Sequence, residues 1–182
     1  SEMCIRDRAL NWNYEPFEVP EDILAAWREA GRHSVAAYQA WNKKAVAAGE
    51  TFLDYINDRL PENWDKASNE LKEKSIAEGT KVATRKASQL CLQAIVPHIP
   101  QIVGGSADLA ASNLTFVEGM KTVVRGDYNG NNVMYGIREH AMGAVMNGMA
   151  LHGGVIPYGG TFFVFSDYMR PAMRLAALMG VR

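Results

Sequence analysis

The feature that most constrains the fold is an alternation, in the second half of the chain, between short apolar runs and helical patterns. Three apolar runs predict buried strands: residues 101–105, 133–135 and 154–158. Apolar side chains at helical spacing predict three helices: residues 82–96, 139–151 and 162–179, the last one kinked or divided at Pro171. Strands that alternate with helices form parallel sheets, because each crossover needs a helix. The sequence therefore predicts an α/β fold.

The composition changes near Gly79, which divides the chain into two parts. The first part is rich in charged residues, alanine and tryptophan, and it carries three helical patterns: residues 21–48 with a bend near Gly31, 52–59 and 63–77. We predict a leader over residues 1–8 that is foreign to the rest, a helical connector over 9–79 and an α/β domain over 80–182. Three strands are few for a complete domain of this kind, so we expect further strands outside the given sequence.

Composition and charge exclude several classes of partner. The net charge of −1 gives no electrostatic attraction to nucleic acid or to an anionic membrane. No apolar stretch reaches the roughly 18 residues that a bilayer span needs. The two cysteines, Cys4 and Cys91, are too few for a disulfide framework, and neither they nor the histidines have metal-site spacing. We therefore expect a cytoplasmic protein with no nucleic-acid partner, no membrane span and no metal ligands in this chain.

Two patterns in the α/β part suggest chemistry. The string GIREHAM at residues 136–142 joins a strand end to a helix start, where α/β proteins bind ligands, and it puts Glu139 at the positive end of a helix dipole. Phe162, Phe165 and Tyr168 recur every three residues, which makes one aromatic stripe on a helix that could stack on a flat heterocycle. Taken alone, each pattern favours a plain structural role, a helix-end charge for the first and core packing for the second.

Two further segments carry polar or basic groups. The string GGSADLAASNLT at residues 104–115 is neither a dinucleotide fingerprint nor a P-loop, and its Ser, Asp and Asn residues also suit an ordinary turn. Arg85 and Lys86 follow Thr84 at a predicted helix start, where positive charge is unfavourable unless an anion lies nearby. A solvated basic turn remains the alternative for this pair.

Together and in order, these strings resemble the transketolase family. The matching strings are ATRKAS at 83–88, GGSADLAASNLT at 104–115, YGIREHAM at 135–142, NGMALHGG at 147–154, PYGGTFFVFSDY at 157–168 and RLAALM at 174–179. WNYEPFEVP at 12–20 resembles the link between the family's first two domains. The resemblance implies that residues 9–79 are an interdomain linker, and that 80–182 are the first part of the thiamine-diphosphate (pyrimidine-binding) domain.

The resemblance also implies an activity and its requirements. Family members are homodimers that transfer a two-carbon ketol unit from a ketose phosphate to an aldose phosphate in the pentose phosphate pathway. They depend on thiamine diphosphate and on a divalent cation, usually magnesium. The family's ligands for the diphosphate and the metal lie in its first domain, so we expect this chain to carry half a site and to be inactive alone.

Residue roles follow from the matched strings. Glu139 matches the glutamate that hydrogen-bonds N1′ of the cofactor's aminopyrimidine ring, and a carboxyl under an aromatic wall has its charged form disfavoured and can share a proton. The other matches are Phe162, Phe165 and Tyr168 for the pyrimidine pocket, Asp108 and Leu109 beside the thiazolium, and Arg85 with Ser112 for the substrate phosphate. Ala111 and Phe163 depart from the family's usual Pro and Leu, and we expect neither change to disturb the chemistry.

Three alternatives remain at this point. Dihydroxyacetone synthase and 1-deoxyxylulose-5-phosphate synthase use the same cofactor, and the phosphate pair with the GGSADL and GIREHAM strings favours transketolase over them. The third alternative is a non-catalytic, transketolase-like module for binding or dimerisation.

Overall fold

The computed structural model describes residues 2–181, which form two compact units divided between Gly49 and Glu50. Ser1 of the predicted leader and Arg182 at the end of the predicted domain lie outside the described residues. The division differs in position from the composition change near Gly79. The predicted boundaries at residues 8 and 79 stay predictions.

The first unit is helical. It contains α1 (Glu2–Ala9), α2 (Glu21–Arg32) and α3 (Val35–Ala47). The sequence predicted one bent helix over residues 21–48, whereas the structure has two helices separated by His33 and Ser34. The interruption comes two residues after Gly31, and glycine weakens a helix because it has more backbone freedom to lose.

The second unit contains six α-helices and two short 3₁₀ helices, Val96–His98 and Phe163–Phe165, among its described residues. The α-helices are α4 (Glu50–Ile56), α5 (Lys66–Ala77), α6 (Thr84–Ile95), α7 (Ala110–Asn113), α8 (Glu139–His152) and α9 (Ser166–Met179). Helix α6 begins two residues later and ends one residue earlier than the predicted 82–96, and α4 and α5 are also shorter than predicted. The helix predicted over 52–59 ends at Ile56, because Asp58 takes a left-handed φ of 52°. The helix predicted over 63–77 begins at Lys66, after Asn63 with a φ of 59°.

The sheet has three parallel strands, which confirms the predicted α/β class. They are β1 (Ile102–Ser106), β2 (Asn132–Met134) and β3 (Ile156–Gly160), in the order β2-β1-β3. Ser106 pairs with Met134 on one side and with Gly160 on the other, so all three strands end at the same level. The chain leaves β1 toward β2 and then crosses to the opposite side for β3. Ligands of open α/β sheets bind outside the carboxyl ends of the strands at such a reversal.

The hydrophobic core has two clusters. The first contains Val96, Ile99, Ile102, Val117 and Met120. The second contains Ala107, Tyr135 and the fully buried Met142, with Met146 and Met169 packed against it. Helical spacing with Met142, Met146 and Met149 predicts that Val145 is a core residue, but Val145 is 46% exposed. Val145 instead lines an open, largely apolar groove that it shares with Phe52 and Tyr55 of α4.

The aromatic segment before α9 is not one long helix. A short 3₁₀ turn, Phe163–Phe165, precedes α9, and the helix then continues through Pro171 to Met179. The predicted division at Pro171 is therefore wrong, since the change of helix type falls at Ser166. This 3₁₀ turn lies three residues after the carboxyl end of β3, where the chain changes direction.

Helices α8 and α9 pack closely because α8 has a glycine at the contact. A Cβ added to Gly143 would lie 2.9 Å from the Cβ of Ala172 and 2.9 Å from the Cγ of Met169. The Asn147 side chain strengthens this contact, since its Nδ2 donates to the carbonyl oxygen of Ala172 at 2.9 Å. This packing fixes the distance between the start of α8, where Glu139 lies, and the start of α9, which follows the aromatic segment.

We expect Gly143→Ala to lower the free energy of unfolding by roughly 1–3 kcal/mol, because the new methyl group overpacks the contact between the helices. Gly148→Ala is the matched control on the same helix. Nothing lies within 4 Å of its added Cβ, so this change should stabilise the protein by about 0.5–1 kcal/mol through helix propensity. Denaturant unfolding of both variants measures the difference. Equal effects would contradict the packing described.

Candidate functional site

Glu139 occupies a buried position at the carboxyl edge of the sheet. Glu139 is the first residue of α8, and it is only 6% exposed. The Thr161 hydroxyl, on the residue that follows β3, donates to its Oε1 at 3.2 Å. Among residues 2–181 no group donates to the second carboxyl oxygen, Oε2. The carboxyl therefore has one oxygen held by the protein and one available for another partner.

A tight turn brings Glu139 to this edge from the end of β2. Gly136 has a φ of 68°, a conformation that glycine adopts without strain. The Arg138 backbone nitrogen donates to the Gly136 carbonyl oxygen at 2.8 Å. The Arg138 guanidinium folds back, and its Nη1 donates to the Tyr135 carbonyl oxygen at 3.0 Å. The arginine next to the carboxylate is thus bound to backbone, and it is not an ion-pair partner of Glu139.

The three predicted aromatic residues form one row of rings. The centroids of Phe162 and Phe165 are 6.0 Å apart with their planes 10° from parallel, and those of Phe165 and Tyr168 are 6.2 Å apart at 31°. Phe162 is 39% exposed and Tyr168 is 67% exposed. The row begins one residue after Thr161, so it adjoins the contact to Glu139. Flat, accessible faces of this kind can hold an aromatic ring.

Ser106 connects the ends of two strands with the loop between them. Ser106 is 5% exposed, and its hydroxyl donates to the Gly160 carbonyl oxygen at 3.0 Å. The same oxygen atom accepts from the Leu109 backbone nitrogen at 3.1 Å and from Asn113 Nδ2 at 2.8 Å. One donated and two accepted bonds use the full capacity of a hydroxyl. The sequence reasoning placed Ser106 in a polar loop and missed this role.

The loop after β1 carries Asp108 and Leu109 at the same edge. Asp108 is exposed and has a φ of 59°, which aspartate tolerates better than most residues. Leu109 is half-buried, and its carbonyl oxygen accepts from the backbone nitrogens of Ser112 and Asn113, both at 2.8 Å. The short helix α7 that follows is thereby attached to the end of β1.

Arg85 and Ser112, the predicted phosphate pair, are neighbours in the structure. Arg85 Nη1 donates to the Ser112 carbonyl oxygen at 3.4 Å, although the two residues are 27 positions apart in sequence. Both residues are exposed. Arg85 lies in the first turn of α6, where the helix dipole adds positive potential. The arrangement favours an anion at this point.

Tyr158 attaches the far end of the loop to β3. Its hydroxyl donates to the Thr115 carbonyl oxygen at 2.7 Å. Burial, with a smaller contribution from Tyr135, raises the pKa of Tyr158 to about 12. Burial also raises the pKa of Tyr135, whose hydroxyl has no hydrogen-bond partner among the described residues. Both phenols therefore stay neutral at physiological pH.

Residues 2–181 contain no group of three or more His, Cys, Asp and Glu side chains that could hold a metal ion. The helices in this range are too short or too polar for any of them to traverse a bilayer. The predicted metal ligands elsewhere in the protein stay a prediction.

A parallel sheet with a buried glutamate and accessible stacked rings at its carboxyl edge defines an α/β ligand-binding domain. The sequence profile described as "Transketolase, pyrimidine binding domain" matches residues 80–182. This chain belongs to the transketolase family.

Individual relatives agree with the family match. The chain is 47% identical to "Transketolase, plasmid" of Cupriavidus necator over 188 aligned residues, which cover 100% of this chain and 28% of the relative. A solved transketolase variant from Pichia stipitis superposes with a TM-score of 0.73 at 37% identity, covering 93% of this chain and 27% of the other. The Pichia stipitis protein has also been solved with fructose-6-phosphate, at a TM-score of 0.71 and with the same coverage. The chain thus spans little more than a quarter of these relatives.

We expect Ser106→Ala to lower the free energy of unfolding by about 1–3 kcal/mol, because it leaves a buried amide and the Asn113 side chain without a partner. Ser88→Ala, on the exposed surface of α6, is the control and should change stability by less than about 0.5 kcal/mol. Thermal or denaturant unfolding compares the two variants. If Ser106→Ala proved as mild as the control, the hydroxyl would not hold the loop.

Proposed function

We propose that this chain is a segment of a transketolase that transfers a two-carbon ketol unit from a ketose phosphate to an aldose phosphate with thiamine diphosphate. The observation that carries the proposal is the buried Glu139 carboxyl, with Oε1 bound by Thr161 and Oε2 free of protein donors, beside a row of accessible rings. Glu139 Oε2 is not among the fully buried atoms that lack a partner, so this unpaired oxygen of a largely buried residue is accessible to a ligand.

Glu139 is the residue that we propose to share a proton with the pyrimidine ring. Its Oε2 accepts no hydrogen bond among residues 2–181, so this oxygen is available to the ring. When bound, thiamine diphosphate supplies the electron sink for breaking and forming the carbon–carbon bond.

The remaining residues divide the binding of cofactor and substrate. Phe162, Phe165 and Tyr168 hold the pyrimidine ring by stacking, and Asp108 with Leu109 borders the thiazolium ring. The fit of these residues to the cofactor is supported by the ring geometry and by the exposure of Tyr168. The planar fork of an arginine suits a phosphate, so Arg85 with Ser112 binds the phosphate of the sugar. The complex of the Pichia stipitis relative with a sugar phosphate supports this substrate class.

Further properties belong to the proposal through the family. We infer a homodimer in the cytoplasm that acts in the pentose phosphate pathway and uses magnesium bound by residues outside this chain. Residues 9–79 are the interdomain linker in this interpretation, and residues 80–182 are part of the pyrimidine-binding domain. We infer that the segment alone is inactive, because the family's ligands for the diphosphate half of the cofactor lie in its first domain. Ketol transfer by the purified 182-residue chain would contradict that last statement.

The alternatives differ in measurable ways. Dihydroxyacetone synthase and 1-deoxyxylulose-5-phosphate synthase would differ from transketolase in their substrates, so profiling the full-length enzyme against aldose phosphates distinguishes them. A non-catalytic module would keep its binding properties and have no ketol-transfer activity that depends on Glu139. The held carboxyl favours the catalytic interpretation, because a dimerisation surface needs no such group.

We expect Glu139→Gln to lower the kcat of the full-length enzyme at least about 100-fold, the low end for removal of a proton-transfer group. Glutamine keeps the size of the side chain but cannot exchange a proton. Glu118→Gln, an exposed acidic residue of the same unit, is the control and should leave kcat unchanged. Steady-state ketol transfer measures both variants. Activity within about threefold of the parent in Glu139→Gln would remove this role.

We expect Arg85→Ala to raise the KM for a sugar phosphate about 10- to 100-fold with little change in kcat, as for the loss of a charged hydrogen bond. The same change should not affect acceptors that lack a phosphate. Arg125→Ala, which removes an exposed arginine of the same unit, is the control. A similar KM change for phosphorylated and unphosphorylated acceptors would contradict the assignment.

A further inference from the structure

The contact between Thr161 and Glu139 joins two residues that lie 22 positions apart. Thr161 is half-buried and directly follows β3, and its hydroxyl donates to Glu139 Oε1 at 3.2 Å. No other described residue donates to the Glu139 side chain. Arg138 is bound to the Tyr135 carbonyl oxygen, and His140 is exposed. The threonine is thus the hydrogen-bond donor that can hold the carboxyl in one orientation.

The backbone before Thr161 is itself fixed. The Gly160 carbonyl oxygen accepts from the Ser106 hydroxyl and from the Ala107 backbone nitrogen, both at 3.0 Å. A side chain at Gly160 would collide with the Thr115 methyl group and lie 3.0 Å from Asn113 Nδ2. The Gly160 backbone therefore sits against the loop without freedom to shift. Its neighbour Thr161 presents its hydroxyl from a rigid support.

We propose that Thr161 is a positioning residue, whose hydroxyl holds Glu139 Oε1 and thereby leaves Oε2 as the oxygen presented to the ring nitrogen N1′ of an aminopyrimidine. The inference rests on the proposed function and deepens it. The terminal torsion of a glutamate is broad, so an unbound carboxyl rotates and loses part of its pre-organisation.

The test uses the full-length enzyme that carries this segment. Thr161→Val keeps the branched shape and removes the hydroxyl, whereas Thr161→Ser keeps the hydroxyl. The dissociation constant is measured by calorimetry for thiamine diphosphate and for an analogue with a C–H group in place of N1′. We expect Thr161→Val to weaken binding of thiamine diphosphate about tenfold, equal to the loss of roughly one hydrogen bond. Binding of the analogue should stay unchanged, and Thr161→Ser should match the parent for both ligands.

Two results would overturn the inference. The first is an unchanged dissociation constant for thiamine diphosphate in Thr161→Val, and the second is an equal loss for both ligands, which would indicate a general structural effect. Thr161→Ala, which cannot clash, repeats the comparison if Thr161→Val does not fold.

A double-mutant cycle separates the inference from the proposed function. If Thr161 acts through Glu139, the variant that combines Thr161→Val with Glu139→Gln should bind thiamine diphosphate no more weakly than Glu139→Gln alone. Additive losses of binding free energy in the double variant would contradict the inference and leave the proposed function unaffected. Unchanged ketol transfer in Glu139→Gln would instead remove the proposed function, whatever the binding data for Thr161.

Discussion

At the level where the three strands end, the Ser106 hydroxyl joins parts of the chain that are far apart in sequence. It binds the last residue of β3, the first turn of the loop after β1 and the Asn113 side chain. The loop carries Asp108, and the residue after β3 is the donor to Glu139. A single buried oxygen therefore sets the relative positions of the groups that form the candidate site. A shift of this junction would move all of them together.

The burial of Glu139 lowers the stability of the folded segment. Placing a carboxyl group in a residue that is 6% exposed costs free energy, and among residues 2–181 only the Thr161 hydroxyl donates to it. Proteins retain such groups where function requires them. The rings of Phe162 and Tyr168 also contribute less stability than buried rings would, since their aromatic surface is accessible at the same edge. The segment is thus less stable than its core would permit.

Local patterns in the sequence predicted most of the fold, and long-range contacts account for what they missed. Apolar spacing identified α8 and the parallel strands because periodicity reports which face of an element is buried. It could not identify the bond from Thr161 to Glu139, which depends on the order of the strands. The pairing of Arg85 with Ser112 was expected only from family resemblance, since 27 residues separate them. Val145 was misassigned because helical spacing cannot show that one side of α8 faces an open groove.

The outer side of β2 is bridged to residues 121–123 through Asn132, whereas the outer side of β3 has no paired strand among residues 2–181. Backbone donors and acceptors along such an edge recruit any extended chain that comes close. Only Pro157, in β3, lacks an amide hydrogen with which to pair. Handled as an isolated polypeptide, this segment would tend to add strands from neighbouring copies and to form soluble oligomers or precipitate. Its colloidal behaviour in isolation would then reflect the open sheet edge along β3. It would be independent of the chemistry at the carboxyl ends of the strands.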